Sequence, residues 1–469
     1  MHQINALIER HSPCMRWMTV KASTMGQDHG TLPECLHREF RRADSGHSHH
    51  QEISTNVQIV LINQYAGSPH HGMEFRPHQM ARHWVLQGHD VTIIAGSFSH
   101  LRNHNPNSGR GTQEEFIDGI RYRWIPTPSY RGNGLARLRN VSAFLRGLRM
   151  ERKGFLRAHP PDCVIASSTH PFDFKIARKI ALDHRAPVIW EIHDLWPLSL
   201  IELHGFSPRH PMMQIIQRAE NHATAHADLI VSILPNTFPH FKAMGATEER
   251  FAVIPNGVDL SGQQPSTDHI NTDVEADLNA LAAESDIVLG YAGSHTGSYG
   301  IEQLIEAACS EKQLRIGVVL VGDGPEKERL QRLAERLGPN RIRFIDRLPR
   351  EGALAILKKC DATFLGLRKE ALFRYGIGMN KIYDAMLVGN PVIGSYTAGN
   401  DPIREAGCGI SVPAQDVHAI QDAIRTTHRM SREERKALGD SGMRFVAEHH
   451  DYEVLAERFL DYMHREIHR

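Results

Sequence analysis

Strand-length apolar runs alternate with helical segments from residue 56 onward, and this repeat constrains the fold more than any other feature. Two of the runs are Asp90–Ala95 (DVTIIA) and Ile316–Val321 (IGVVLV). Because a strand of a parallel sheet is covered by helices on both faces, its sequence is a nearly continuous apolar run rather than an alternating one. The repeat therefore predicts an α/β fold made of strand–helix units.

A polar stretch between Leu260 and Ser285 divides these units into two series of similar length. We expect two doubly wound, Rossmann-like domains, at residues 56–262 and 286–445, joined by a linker at 263–285. Ligands of such sheets bind at the carboxyl ends of the strands. The central cleft that the two domains face is therefore the expected active site.

The first 55 residues differ in composition from the rest, since they contain seven histidines and have no clear periodicity. We interpret residues 1–55 as a disordered extension. His47, His49 and His50 could contact a metal ion, but a solvated tail is the favoured interpretation.

Composition argues against several classes of protein. Lys+Arg and Asp+Glu both number 54, so the chain has no net charge and is not expected to bind nucleic acid along its length. The six cysteines form no CxxC pair, which argues against a disulfide framework or a cysteine zinc site and fits a reducing cytosol. No apolar run approaches the ~18–20 residues of a membrane-spanning helix, so a cytoplasmic location is expected.

Three glycine-containing turns are candidate anion sites: Gly67–Gly72, Gly293–Gly300 and Tyr375–Lys381. Free N–H groups and the helix dipole favour an anion at a helix N-terminus, and the second and third turns each lead into a predicted helix. Two such turns in one domain predict a diphosphate site. Lys381 supports this prediction, because a cation in the first helical turn opposes the dipole unless an anion is bound nearby.

Two further positions have both a structural and a functional interpretation. Asp384 follows Lys381 by three residues, so the pair either forms an intrahelical ion pair or binds phosphate and sugar hydroxyls respectively. His193 follows the apolar run Val188–Ile192, at the carboxyl edge of the predicted sheet. It is either a structural histidine or a base or hydrogen-bond donor in catalysis.

The segment Arg131–Arg157 is strongly basic, with eight Arg and Lys residues against Glu151 alone, a net charge of +7. Leucine and phenylalanine residues are interleaved with these charges. This composition is typical of a helix that lies on an anionic membrane surface. RNA binding and a merely solvated basic face are the alternatives.

Several ordered motifs, spread over most of the chain from about residue 56, resemble those of the GT-B-fold glycosyltransferases of family 4 (group 1). The matching runs are Gly88-His-Asp-Val-Thr92, Glu191-Ile-His-Asp-Leu-Trp-Pro197, Ile254-Pro-Asn-Gly-Val-Asp259, Val321-Gly-Asp-Gly-Pro325, Gly376-Ile-Gly-Met-Asn-Lys-Ile-Tyr-Asp-Ala-Met386 and Gly389-Asn-Pro-Val-Ile393. Within that family the chain is most similar to O-antigen and capsule enzymes such as N-acetyl-fucosaminyl transferases.

The resemblance implies a nucleotide-diphosphate sugar donor, most often a UDP-sugar, held by the second domain. It implies that Asp384 binds the ribose, that Arg347 and Leu348 lie at the edge of the base, and that His193 lies near the reacting sugar. His193 and Lys381 are the expected catalytic residues. The diphosphate would be bound by Gly293, Ser294, Arg374, Gly376, Gly378, Asn380 and Lys381.

The resemblance also bears on the acceptor and on the reaction. Gly72 and Arg76 would face the substrates from the first domain. The basic segment would place the enzyme peripherally on the inner face of a membrane that carries a polyprenyl-diphosphate-linked saccharide acceptor. Residues 446–469 would form a C-terminal helix that packs back on the first domain. Transfer in this family retains the anomeric configuration and needs no metal or other cofactor.

Two motifs depart from the family pattern. The first acid of the family's E-x7-E motif falls at Gly376, and the usual Arg and Lys of the first diphosphate loop are replaced by the stretch Ser294–Thr296. We therefore expect Lys381 and backbone amides to stabilise the departing diphosphate, in the manner of an oxyanion hole.

Two other functions remain as alternatives to transfer. A nucleotide-sugar epimerase of the same fold would need no acceptor, but it would require more acidic side chains than the surroundings of Gly376 offer. A non-catalytic nucleotide-sugar-binding partner is the second alternative, because the first acid of E-x7-E is missing.

Overall fold

A computed structural model describes residues 56–72, 75–106, 109, 111–132, 134–261, 266–268 and 270–469. The predicted disordered extension at 1–55, with its histidines, lies outside the described residues. The described chain forms two parallel-sheet α/β domains, which confirms the predicted fold class.

The first domain is built on an eight-stranded sheet with the strand order β3-β4-β2-β1-β5-β6-β7-β8. All neighbouring strands are parallel except β3 and β4. The strands are β1 (Gln58–Ile62), β2 (Asp90–Gly96), β3 (Gln113–Ile117), β4 (Ile120–Ile125), β5 (Cys163–Ala166), β6 (Val188–Ile192), β7 (Leu229–Ser232) and β8 (Phe251–Val253).

Helices cover both faces of this sheet. They are α1 (Phe75–Leu86), α2 (Leu135–Lys153), α3 (Phe155–Ala158), α4 (Phe174–His184), α5 (Leu198–His204), α6 (Pro211–His226) and α7 (Phe238–Lys242), with a 3-10 turn at Glu248–Arg250. In β1, Ile59 and Leu61 pack into one apolar cluster, whereas Val60 and Ile62 pack into the cluster on the opposite face. Burial on both faces explains why the sequence of β1 is a continuous apolar run.

The second domain has a six-stranded, fully parallel sheet with the order β11-β10-β9-β12-β13-β14. Its strands are β9 (Ile287–Ala292), β10 (Ile316–Val321), β11 (Ile342–Ile345), β12 (Ala362–Gly366), β13 (Val392–Ser395) and β14 (Gly409–Val412). Its helices, with those that follow it, are α8 (Thr272–Glu284), α9 (Ile301–Ser310), α10 (Lys327–Leu337), α11 (Arg350–Lys358), α12 (Asn380–Leu387), α13 (Pro402–Ala406), α14 (Val417–Arg429), α15 (Arg432–His449) and α16 (Tyr452–Ile467), with a 3-10 turn at Ala371–Tyr375.

Helix α8 lies within the segment predicted as a linker, 263–285. The Asn271 side chain caps this helix by accepting a hydrogen bond from the Val274 N–H at 2.8 Å. Leu278 and Leu281, three residues apart, are buried against the second sheet. The polar residues of α8 lie on its exposed face.

The last helix, α16, packs on the first domain although it follows the second in sequence. The indole Nε1 of Trp84 on α1 donates to the Ala456 carbonyl at 3.0 Å, and the rings of Trp84 and Phe459 are 5.4 Å apart. A β-bridge between Val258 and Asp451 lies where the chain returns from the second domain to the first. Among the described helices, none combines the length and the apolar character needed to cross a bilayer.

Candidate active site

The glycine turn after β9 and the start of α12 meet at the carboxyl edge of the second sheet. A Cβ at Gly293 would lie 2.7 Å from Cε of Lys381, so a larger residue there would displace the end of the lysine side chain. The Lys381 ammonium lies 3.6 Å from the centroid of the Tyr299 ring, at the far end of the same turn. The structure thus brings together the two turns that the sequence predicted as a diphosphate site.

The turn after β9 also contains buried polar atoms. The His295 imidazole is fully buried, and within the described structure neither its two nitrogens nor Oγ1 of Thr296 has a hydrogen-bond partner. Burial lowers the pKa of His295 to about 4, an effect that nearby Lys327 strengthens and Asp323 opposes. Because buried polar atoms are nearly always paired, this arrangement fits a site that a polar ligand completes.

The third predicted turn lies between the two domains. Gly376 has φ +105°, and a Cβ there would meet Pro235 of the first domain at 2.6 Å. Gly378 is buried, and its carbonyl accepts a hydrogen bond from Asn256 of the first domain at 3.0 Å. Asn380 is exposed and begins α12. The first domain therefore fixes the turn from which Lys381 projects.

Asp384 is on α12 one turn after Lys381, and its carboxylate is held by a partner that the sequence did not indicate. Arg350 of α11 donates to Asp384 Oδ1 from Nε at 2.9 Å and from Nη2 at 2.6 Å. Burial raises the pKa of Asp384, and the Arg350 charge opposes that rise. The assignment of Asp384 to the ribose stays a prediction.

The remaining donor-side candidates have separate surroundings. The Arg374 guanidinium forms two hydrogen bonds with the Glu202 carboxylate of α5, at 2.6 and 2.7 Å, and no hydrogen bond between described residues joins it to the Gly293 turn. Ser294 is buried, and its carbonyl accepts from the Tyr291 hydroxyl at 2.9 Å. Arg347 is exposed and Leu348 half-buried, just after edge strand β11.

In the first domain, three side chains from neighbouring strands form a hydrogen-bonded group. Nε2 of His193 lies 2.8 Å from Oγ of Ser167 and 3.1 Å from Oε2 of Glu191. The Ser167 hydroxyl also donates to Glu191 at 2.6 Å. His193 therefore has a fixed ring orientation at the carboxyl edge of the sheet, where the sequence placed it.

Arg76 forms an ion pair with Glu191, one member of this group. Its Nη2 lies 2.9 Å from Oε1 of buried Glu191 and also donates to the Ile254 carbonyl at 2.9 Å. Burial alone would raise the pKa of Glu191, but the Arg76 charge and the hydrogen bonds from His193 and Ser167 hold it well below its usual range. Arg76 is itself buried, so it orients Glu191 rather than facing the cleft openly.

Gly72 ends the loop after β1 with φ +72°, and its N–H donates to the Ser68 carbonyl at 2.8 Å. Next to it, His71 lies 3.6 Å from Glu115 and is buried. This loop is therefore ordered by its own contacts at the carboxyl edge of the first sheet.

Sequence reasoning missed three partners at the site: Ser167, Tyr299 and Arg350. Tyr299 lies within a glycine turn that was singled out, so its position in the turn was the available signal. Ser167 and Arg350 come from other strands and helices than the residues they contact, and no sequence spacing indicates such pairs.

Comparison with known families decides the class. Residues 71–257 match the family described as "Glycosyl transferase 4-like domain", and residues 273–464 match "Glycosyl transferases group 1". The chain is a group 1 glycosyltransferase. A search of curated proteins found no match.

Solved structures resemble this glycosyltransferase over nearly their whole length. Sucrose-phosphate synthase from Thermosynechococcus elongatus superposes with a TM-score of 0.62 at 16% identity, covering 87% of this chain and 99% of that one. Anabaena HepE in complex with UDP-glucose gives 0.58 at 17% identity, with 87% and 100% covered. WaaG, described as a glycosyltransferase involved in lipopolysaccharide biosynthesis, gives 0.57 at 16%, with 87% and 99% covered. These likenesses establish the GT-B fold.

Proposed function

We propose that this glycosyltransferase moves a sugar from a UDP-sugar to a lipid-linked saccharide at the inner surface of a membrane, with retention of the anomeric configuration. The product would enter bacterial surface polysaccharide, such as O-antigen or capsule. The UDP-glucose bound by Anabaena HepE and the lipopolysaccharide role of WaaG support the donor and the pathway class respectively.

The donor half of the proposal rests on the Gly293 turn. In this turn the amides of Gly293, His295, Thr296 and Tyr299 already donate to backbone carbonyls, so we assign the diphosphate to the remaining amides, such as that of Ser294, and to the α12 N-terminus. The Lys381 ammonium supplies a positive charge there. As the bond from the anomeric carbon to the diphosphate oxygen breaks, negative charge grows on that oxygen. A fixed ammonium and fixed amide dipoles stabilise this charge more in the transition state than in the ground state.

The acceptor half of the reaction takes place on the same face of the sugar. An acceptor hydroxyl forms the new bond to the anomeric carbon, and its proton passes to the departing diphosphate oxygen, so that configuration is retained. In this proposal His193, which Glu191 and Ser167 orient, hydrogen-bonds the sugar and does not take the proton. We assign no metal or other cofactor to the reaction, because Lys381 supplies the cation.

The exposed start of helix α2 carries the membrane part of the proposal. The helix buries Phe144 and Leu148 against the core, yet Leu135 and Leu138 remain 71% and 39% exposed. Exposed Arg139 lies on the same turns, and α2 belongs to the segment with a net charge of +7. Exposed apolar side chains next to an exposed arginine suit an anionic lipid surface.

Vesicle binding and lipid labelling together test the proposal. We expect the protein to co-sediment with phosphatidylglycerol vesicles and the Leu135→Asp/Leu138→Asp variant to remain in solution. Leu182→Asp is the matched control, since Leu182 is 61% exposed on another helix of the same domain. With a radiolabelled UDP-sugar panel, label should enter the lipid fraction of bacterial membranes. Equal sedimentation of all three proteins, or no label in lipid, would contradict the proposal.

A further inference from the structure

The Lys381 ammonium lies in an aromatic corner formed by Tyr291 and Tyr299. Its Nζ is 3.6 Å from the centroid of the Tyr299 ring and 5.7 Å from that of Tyr291. The two ring centroids are 6.4 Å apart, and the ring planes are inclined at 48°. Because the face of an aromatic ring attracts a cation within about 6 Å, both rings hold the ammonium without carrying a formal charge.

The backbone of the Gly293 turn completes this corner. A Cβ at Gly293 would lie 3.1 Å from the Tyr291 hydroxyl as well as against the end of the Lys381 side chain. The Tyr291 hydroxyl in turn donates to the Ser294 carbonyl, which ties the ring to the same turn. The turn, the two rings and the lysine therefore fit together as one unit.

We propose that Tyr299 is a positioning residue for Lys381: its ring holds the ammonium at the Gly293 turn, where the diphosphate of the donor binds. This inference rests on the proposed function of the same site. A carboxylate at position 299 could also hold a lysine, but it would neutralise the charge that the diphosphate needs. An uncharged ring fixes the lysine without neutralising its charge, so less side-chain entropy is lost when the ligand binds.

The choice of ligand separates this role from a general structural one. UDP carries the diphosphate, whereas uridine has the same base and ribose without it. We expect Tyr299→Leu to weaken UDP binding about tenfold in calorimetry, the effect of losing a cation–π contact of ordinary strength, and to leave uridine binding unchanged. Tyr299→Phe keeps the ring and should bind UDP like the wild type.

A double-mutant cycle with Lys381→Ala tests whether Tyr299 acts through the lysine. In the Lys381→Ala background, Tyr299→Leu should cause no further loss of UDP affinity, because the ammonium is already gone. The matched control is Tyr462→Leu on α16, which removes another cation–π contact, to Arg465 at 5.3 Å, and should leave UDP binding unchanged.

The possible outcomes distinguish this inference from the proposed function. If the wild type binds UDP and Tyr299→Leu binds it equally well, the inference is wrong while the proposed function stands. Equal losses of affinity for UDP and uridine, or additive losses of UDP affinity in the double-mutant cycle, would also contradict the inference. Either result would mean that Tyr299 has only a structural role. A wild-type protein that binds no UDP would contradict the UDP-sugar proposal, and the inference with it.

Discussion

Nη2 of Arg76 lies 2.9 Å from Oε1 of Glu191, and both side chains are almost fully buried. Removing one member of such a pair leaves a buried charge without compensation. We therefore expect Arg76→Ala to lower the free energy of unfolding by about 3–5 kcal/mol, measured by denaturant titration. Arg82→Ala on the same helix removes a more exposed pair with Asp259 and should cost about 1 kcal/mol or less. Equal losses in the two variants would contradict this account.

The Lys381 ammonium should matter to the chemical step more than to donor binding alone. Lys381→Ala is expected to lower kcat for sugar transfer by roughly 100- to 1000-fold, the usual effect of removing one stabilising donor from a developing anion. Lys358→Ala, an exposed lysine at the end of α11, is the control. Circular dichroism should show both variants folded. Near-normal turnover of Lys381→Ala would refute the assigned role.

Asp384 is predicted to bind the ribose hydroxyls, for which it must turn from Arg350 or share its second oxygen with them. Asp384→Asn should weaken UDP binding about tenfold or more, since hydrogen bonds to a carboxylate are worth about 1.5–3 kcal/mol. The same variant should bind 2′,3′-dideoxy-UDP as the wild type does, because that analogue lacks the hydroxyls. A parallel loss for both nucleotides would point to a structural role.

Buried histidines should make the fold sensitive to mild acid. Burial lowers the pKa of five histidines to about 4 each, below the ordinary value of 6.5; they are His78, His100, His170, His295 and His450. Below pH ~6.5 the unfolded chain binds protons that the folded chain does not, so stability falls as pH drops toward 4. Asp173 has the opposite effect on stability. Burial raises its pKa to about 7, so in this pH range the folded chain binds one proton there that the unfolded chain does not.

Denaturant titrations between pH 7 and pH 5 measure the net effect of these histidines and of Asp173 on the free energy of unfolding. The five histidines outnumber Asp173, so the free energy of unfolding should decrease as pH falls, by about 1.4 kcal/mol per pH unit for each proton that the unfolded chain binds in excess of the folded chain. Unchanged stability over this range would show that these imidazoles are hydrated in solution.

The two-domain architecture could be predicted because its signal is local. Strand Ile316–Val321 (IGVVLV) has the bounds that its apolar run indicated, since burial on both faces leaves no polar residue in the pattern. Strand β3 (Gln113–Ile117) was not predicted. It is an exposed antiparallel edge strand with the sequence QEEFI, so its hydrogen bonds rather than its side chains define it.

The candidate site was only partly accessible to sequence reasoning, for a physical reason. A glycine turn that feeds a helix is visible in sequence, and so is the lysine in the first helical turn. The contacts of Lys381 with Tyr299 and of Asp384 with Arg350 join residues 82 and 34 positions apart, and depend on how separate strand–helix units are stacked. Such pairs appear only once the units are folded.

A crystal structure of the protein with UDP tests the central claim most directly, namely that Lys381 and the Gly293 turn bind the donor diphosphate. We predict that the β-phosphate lies within hydrogen-bonding distance of Lys381 Nζ and of the turn's amides. A well-ordered UDP whose phosphates lie away from both would contradict the account.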